Sequence, residues 1–270
     1  MSIRVKNDPG GLHVPHSQLC RIASASVLLF SLIFLNQKMA RAEDVTVAVA
    51  ANFSAAMKEI AARFESDTRD HLIISYGATG QFRAQIMNGA PYAVFLTADD
   101  VTGKQLADDG LAVPDSRFVY ATGALVLWSP DPLIAGSLET LLEQGSFKHI
   151  AMANPALAPY GAAARETLEN LGLWNHLQDK ILYGENISQA YSMVVGGGAH
   201  LGFVAKSQVM RHGHWLPGSV WVVPPSLYKP LNQEAILLLK GQNSKAAHAL
   251  MAYLKSEKSR SIVKAYGYVP

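Results

Sequence analysis

Four places in this chain set a small or polar residue where a strand gives way to a helix: Ala51-Asn52, Ala78-Thr79, Pro159-Tyr160 and Ile187-Ser188. A helix N-terminus offers N–H groups without partners and about half a positive charge. At the carboxyl end of a strand it can receive an anion. Any one join is, on the plainer reading, an ordinary strand-to-helix turn with no ligand. Four of them, two early and two late, suggest N-termini converging on one anion with no Lys or Arg required. Such a site suits a fully ionised tetrahedral oxyanion, which accepts on every side and has no proton to give. Hydrogen phosphate would need a facing carboxylate, and Glu185 and Asp99 lie near enough in sequence to leave that open.

Other residues invite chemistry less strongly. His212-Gly213-His214 has metal-binding proximity, but two histidines beside Trp215 read better as a solvated turn. Ser54 has no G-x-S-x-G elbow around it, so a hydrolytic nucleophile is not indicated. Gly196 to Gly198 lacks the Lys-Ser/Thr that a phosphate-binding loop requires. Lys58, Glu59, Arg63 and Glu65 belong to a solvated helical face.

The elements that must position the four joins follow from periodicity. Val45, Val47 and Val49 alternate as a strand. Phe53, Ala56, Met57, Ile60, Ala61 and Phe64 then repeat at helical spacing, with Asn52 as the expected N-cap. Leu72 to Tyr76 and Val94 to Thr97 read as strands, the first followed by a short helix that Thr79 could cap. Further strands are expected over 124–129, 150–153, 181–183, 201–205, 220–223 and 235–239. Helices are expected over 162–171 and 189–195, and a final one is capped by Ser244. The alternation predicts an α/β class with mainly parallel sheets. It also predicts two lobes, the chain crossing near Tyr120 to Leu125 and returning near Pro224 to Pro230. Residues 43–122 and 228–270 then form lobe I, and 123–227 form lobe II.

Residues 1–42 read as a secretory signal peptide. Arg4, Lys6 and Arg21 precede an apolar run from Ile22 to Leu35, and Ala40-Arg41-Ala42 supplies a small-x-small cleavage pattern. An uncleaved anchor is the alternative, but the run is short of the roughly 20 residues of a membrane span. The sole cysteine, Cys20, precedes the apolar run, so a lipid-modified cysteine is not expected, and cleavage leaves neither disulfides nor thiolate metal sites. The chain has 23 Lys and Arg against 21 Asp and Glu. The leader holds five of the former and one of the latter, so the remainder carries 18 and 20. With no basic run left, nucleic acid is not an expected partner.

The motifs VTVAVAANF-x3-M-x2-IA, SYGATGQFRAQI-x2-GAP, LVLWSP, NP-x3-PYG-x-AA, GENISQA and a terminal Y-G-Y span nearly all of residues 43–270 in order. Together they resemble the periplasmic molybdate-binding proteins of ABC importers. The resemblance implies a type II, Venus-flytrap binding-protein fold with two crossover segments. It implies capture of molybdate, and tungstate with it, and delivery to a membrane permease coupled to an ATPase. The protein would be a periplasmic monomer without cofactor or bare metal ion. Carried over by position, the ligand contacts fall on Asn52 with Ala51 beside it, on Thr79, on Tyr160 and on Ile187. One branch has a further Tyr donor where this chain has Ala205, and Ala93 stands where Asp is frequent. Tyr160 could be packing alone or could supply a donor from another direction.

A receptor for sulfate or another tetrahedral oxyanion is the nearest alternative. An iron receptor would show an adjacent tyrosine pair. A periplasmic enzyme lacks a catalytic dyad. The effector domain of a regulator fits neither the leader nor the absence of a DNA-binding helix pair.

Overall fold

The computed structural model describes residues 1, 2, 4, 42–132 and 137–270. The expected leader, residues 1–42, lies outside the described residues except for 1, 2, 4 and 42. Among the described residues no helix is long and apolar enough to cross a membrane.

Ala42–Pro270 is one compact unit built as two lobes, each around a five-stranded sheet. The first sheet contains β1 (Asp44–Ala50), β2 (His71–Gly77), β3 (Val94–Leu96), β4 (Phe118–Gly123) and β12 (Leu231–Leu237), in the order β2-β1-β3-β12-β4. The second contains β5 (Leu125–Ser129), β6 (Ile150–Ala153), β7 (Ile181–Gly184), β8 (Leu201–Ala205) and β11 (Ser219–Val222), in the order β11-β5-β8-β6-β7. The chain passes between the sheets at Gly123–Leu125 and returns between Val222 and Leu231. A separate hairpin joins β9 (Met210–Arg211) to β10 (His214–Trp215). His212 and Gly213, both at positive φ, make its turn.

The sheets are mixed, which corrects the expectation of mainly parallel ones. In the first, β1 pairs in parallel with β2 and β3, while β12 runs antiparallel to β3 and β4. In the second, β6 is parallel to β7 and β8, while β5 is antiparallel to β8 and β11. The parallel pairs belong to strands linked through helices, as the crossover geometry requires. Of the strands flanking the two passages, β5 and β12 arrive from the other lobe and β4 and β11 leave for it, so no crossover within one sheet imposes a parallel direction on them.

Helices α1 (Ser54–Thr68), α2 (Thr79–Met87), α3 (Val101–Asp108), α4 (Leu138–Gln144), α5 (Pro159–Asn170), α6 (Trp174–Leu177), α7 (Ile187–Val195), α8 (Lys206–Val209), α9 (Lys245–Leu254) and α10 (Glu257–Ala265) cover the sheets. Strand β1 shows why two layers of helix are needed. Val45, Val47 and Val49 pack into one core with Phe53, Ile60, Leu250 and Val263, whereas Ala48 packs with Phe82, Phe95 and Leu106 in another. Alternate side chains leave a strand on opposite faces, and both faces are buried. The expected final helix is two. Ser244 caps α9 by accepting from the Ala247 N–H (2.9 Å), and Ser256 starts α10 afresh, accepting from the Ser259 N–H (3.3 Å).

Candidate functional site

The carboxyl ends of β1, β2 and β7 and the residues before α5 lead to one small cavity. Ala50, Ala51, Asn52, Gly77, Ala78, Thr79 and Ala98 line it from the first-sheet side; Ala158, Pro159, Tyr160, Asn186 and Ile187 line it from the second. All five residues singled out from sequence, Ala51, Asn52, Thr79, Tyr160 and Ile187, are therefore brought together. The cavity is very small, about 10 Å³, where sites for drug-sized molecules run to roughly 300–1,000 Å³.

Each helix start reaches the cavity differently from the sequence expectation. Asn52 is not the N-cap of α1. A 3₁₀ turn, Ala51–Phe53, intervenes after β1, and Phe53 occupies the cap position without a side-chain bond. The extra turn rotates Asn52 inward, where it is 2% exposed and its Nδ2 donates to Gln233 Oε1 (2.8 Å) and Tyr268 Oη (3.0 Å). Thr79 is likewise no cap but the first residue of α2. Its Oγ1 accepts from the Ala98 N–H (3.1 Å), which leaves its own hydroxyl hydrogen to give. Asn186 is the true N-cap of α7, accepting from the Ser188 N–H (3.0 Å) and the Gln189 N–H (3.1 Å). Ile187, at the first position, keeps an N–H with no acceptor in its own helix; the same holds for Thr79 and Tyr160. Pro159 fits the first position of α5 because proline has no N–H to satisfy there.

No charged side chain lines the cavity. The Glu185 carboxylate faces outward and accepts from Gln81 Nε2 (3.4 Å). The Asp99 carboxylate is turned to the first turn of α3, accepting from the Thr102 N–H (2.7 Å), while Asp100 is the N-cap. Neither Asp99 nor Glu185 is among the residues that line the space, so no carboxylate of the lining receives a proton. Burial pushes the Tyr160 phenol well above its ordinary range, with lesser contributions from Tyr268, Tyr120 and Tyr228, so it stays a neutral hydroxyl. What faces a guest is amide dipoles and hydroxyls alone.

The two sides are joined around the cavity. The Gly80 N–H donates to the Leu157 carbonyl (2.9 Å), and Ser188 Oγ donates to the Ala51 carbonyl (3.2 Å). Behind it, Ser207 Oγ donates to the Asn52 carbonyl (2.9 Å), and the Tyr268 hydroxyl lies 2.8 Å from the same oxygen. Sequence reasoning missed Ser207, Tyr120 and Gln233 in this region; Tyr268 was visible only as part of the terminal Y-G-Y. Ala205 and Ala93, the two departures from the family pattern, are buried and outside the cavity lining. Ala93 is held by backbone bonds to Thr46 (2.8 Å) and Leu238 (2.9 Å), so the local packing needs no carboxylate. Among the described residues no group of three or more His, Cys, Asp or Glu side chains could hold a metal ion.

Residues 45–269 match the model of the bacterial extracellular solute-binding protein family. The chain belongs to that family. This solute-binding protein is 50% identical over 229 residues to the molybdate-binding protein ModA of Azotobacter vinelandii, an alignment covering 85% of this chain and 91% of the relative. It is 45% identical over 231 residues to ModA of Rhodobacter capsulatus, covering 85% and 90%. Among solved structures, the periplasmic molybdate-binding protein of Azotobacter vinelandii superposes with a TM-score of 0.79 at 38% identity, covering 84% of this chain and 99% of that one. The resemblance carried by separate motifs thus extends over residues 45–269.

Proposed function

We propose that this solute-binding protein captures molybdate, and tungstate with it, in the cavity between its lobes and delivers the anion to an ABC importer's permease and ATPase. Lobe I would be residues 43–122 and 228–270, and lobe II 123–227. The protein would act as a periplasmic monomer after removal of residues 1–42, as a carrier and not an enzyme. The observation that carries this reading is a small cavity, lined from both lobes, with no charged side chain and so no carboxylate to take up a proton. A doubly charged oxyanion would receive the first-turn N–H groups of Thr79, Tyr160 and Ile187 and the Thr79 hydroxyl, with Ala51 and Asn52 closing the near side. Hydrogen phosphate would bring a proton with no carboxylate there to accept it. The names of the related proteins support molybdate as the cargo.

Calorimetric titration of the leaderless protein with molybdate, tungstate, sulfate and phosphate tests it. Molybdate and tungstate should bind at least tenfold more tightly than sulfate, and phosphate should give no heat. Sulfate or phosphate binding more tightly than molybdate would overturn the assignment.

A further inference from the structure

Gln233 does not line the cavity, yet its amide touches cavity residues of both lobes. It lies on β12, is fully buried, and sits at the register shift between Gln233 and Glu234. An irregularity of this kind re-aims side chains that regular pairing would send elsewhere. Across it, Ala121 pairs with Gln233 and Val119 with Glu234, so Tyr120 has no partner in the ladder. The Gln233 Oε1 accepts from Asn52 Nδ2 (2.8 Å) and from the Tyr120 hydroxyl (3.0 Å). Its Nε2 donates to the Tyr160 hydroxyl (3.2 Å). Asn52 belongs to the β1–α1 join of the first lobe and Tyr160 to the start of α5 in the second. Where this bond crosses from lobe to lobe stands Gly123, the last residue of β4. A Cβ there would collide with the Tyr160 hydroxyl and lie 2.5 Å from Gln233 Nε2.

We propose that Gln233 is a positioning residue that ties the two halves of the anion site together, one amide group fixing Asn52 on one lobe and Tyr160 on the other. The primary amide suits this place because it presents an acceptor and a donor side by side. Oε1 collects two donors while Nε2 serves the opposite lobe, and the group carries no charge that would repel an anion. A protonated carboxylic acid reproduces this pattern; an ionised one does not, since it only accepts. A leucine of similar size provides neither arm.

The inference rests on the anion-site reading above, and the test separates the two. Gln233→Glu and Gln233→Leu are compared with the wild-type protein by molybdate titration from about pH 8 to about pH 5, spanning a buried carboxyl's raised range. Hydrogen exchange in the anion-free protein is followed at residues 51–54 and 159–162. The wild type should bind molybdate with a nearly flat profile. Q233E should bind at least tenfold more weakly at pH 8 and recover most of that on acidification, while Q233L should stay weak throughout. Exchange in Q233L should rise in both segments together, a readout that does not depend on any anion. Q233E affinity within threefold of the wild type at pH 8, or equal weakening at every pH, would overturn the proposal; so would a rise in only one segment. Should Q233L fail to fold, Tyr160→Phe removes the inter-lobe arm alone, and exchange should then rise in residues 159–162; an unchanged rate there would equally overturn it. A wild type that binds no molybdate refutes the proposed function, and the paired exchange result then decides the tie between lobes by itself.

Discussion

Thr79→Val separates the two duties of one hydroxyl. Valine has nearly the shape of threonine, so the buried space at Thr79, which is 2% exposed, stays filled. What disappears is the acceptor for the Ala98 N–H (3.1 Å) and, on the proposed reading, a donor to the anion. Ala98 is itself 2% exposed, so its N–H is left unsatisfied, at a cost of about 1–3 kcal/mol. For a folded unit of this size that lowers the melting midpoint by about 2–12 °C in the absence of anion. The lost bond to a dianion costs a further 1.5–3 kcal/mol or so, which is about 10- to 150-fold in the dissociation constant for molybdate. Calorimetry at a temperature where the variant is fully folded reads the second effect alone, and a melt without anion reads the first. Thr79→Ser keeps both atoms and should stay within a few-fold of the wild type. A Thr79→Val protein that melts early yet binds molybdate within twofold of the wild type would show that the hydroxyl serves Ala98 only, and the donor role would be lost.

Three further outcomes follow from the same geometry. Gly123→Ala forces the Tyr160 hydroxyl and Gln233 Nε2 apart; it should destabilise by about 1–3 kcal/mol and weaken molybdate binding, measured by melting and titration together. Arg117 makes two bonds to the nearly buried Glu234, Nε to Oε2 (3.0 Å) and a terminal nitrogen to Oε1 (2.9 Å). Arg117→Met leaves that carboxylate alone and should cost about 3 kcal/mol in denaturant unfolding, recovered in part by adding Glu234→Gln. Burial above all raises the Asp99 carboxyl above its ordinary range. The folded protein therefore holds that proton more tightly than the unfolded chain, and stability falls as pH rises between the two values. Asp99→Asn, which still accepts from the Thr102 N–H, should melt higher than the wild type at neutral pH, the gap closing as the pH is lowered through the raised range.

The convergence of the four joins was legible because it follows from α/β topology: ligands gather where strands end and helices begin. The alternating Val45, Val47 and Val49, and the helical repeat from Phe53 to Phe64, located the first unit correctly. The direction of β5, β11 and β12 was not legible, because pairing direction is set by which lobe a strand comes from or leaves for, and that leaves no mark in its own residues. Strand β4 was hidden for a local reason: Phe118–Gly123 runs into Leu125–Ser129 with only Ala124 between, so two strands of different sheets read as one passage. Asn52 was misassigned as a cap because a 3₁₀ turn displaces it by one residue into the interior. Gln233 left no local trace at all. Its partners Tyr160, Tyr120 and Asn52 lie 73, 113 and 181 residues away, and a polar residue before an apolar strand is an ordinary sight.

A site made of neutral dipoles places its selectivity in distances. Every dianion of the same charge gains nearly the same attraction from the N–H groups, and no lining side chain titrates to favour one over another. On the proposed reading, affinity across pH follows the anion's own ionisation, and size decides among anions. Size is fixed by whatever fixes the separation of the lobes: the Gly80–Leu157 bond at the rim, the Ser188–Ala51 bond beside it, and the Gln233 amide behind. Substitutions that lengthen any of these without touching a cavity residue should therefore change the ratio of molybdate to sulfate affinity more than either affinity alone. A change in lining that leaves the separation intact should do the reverse.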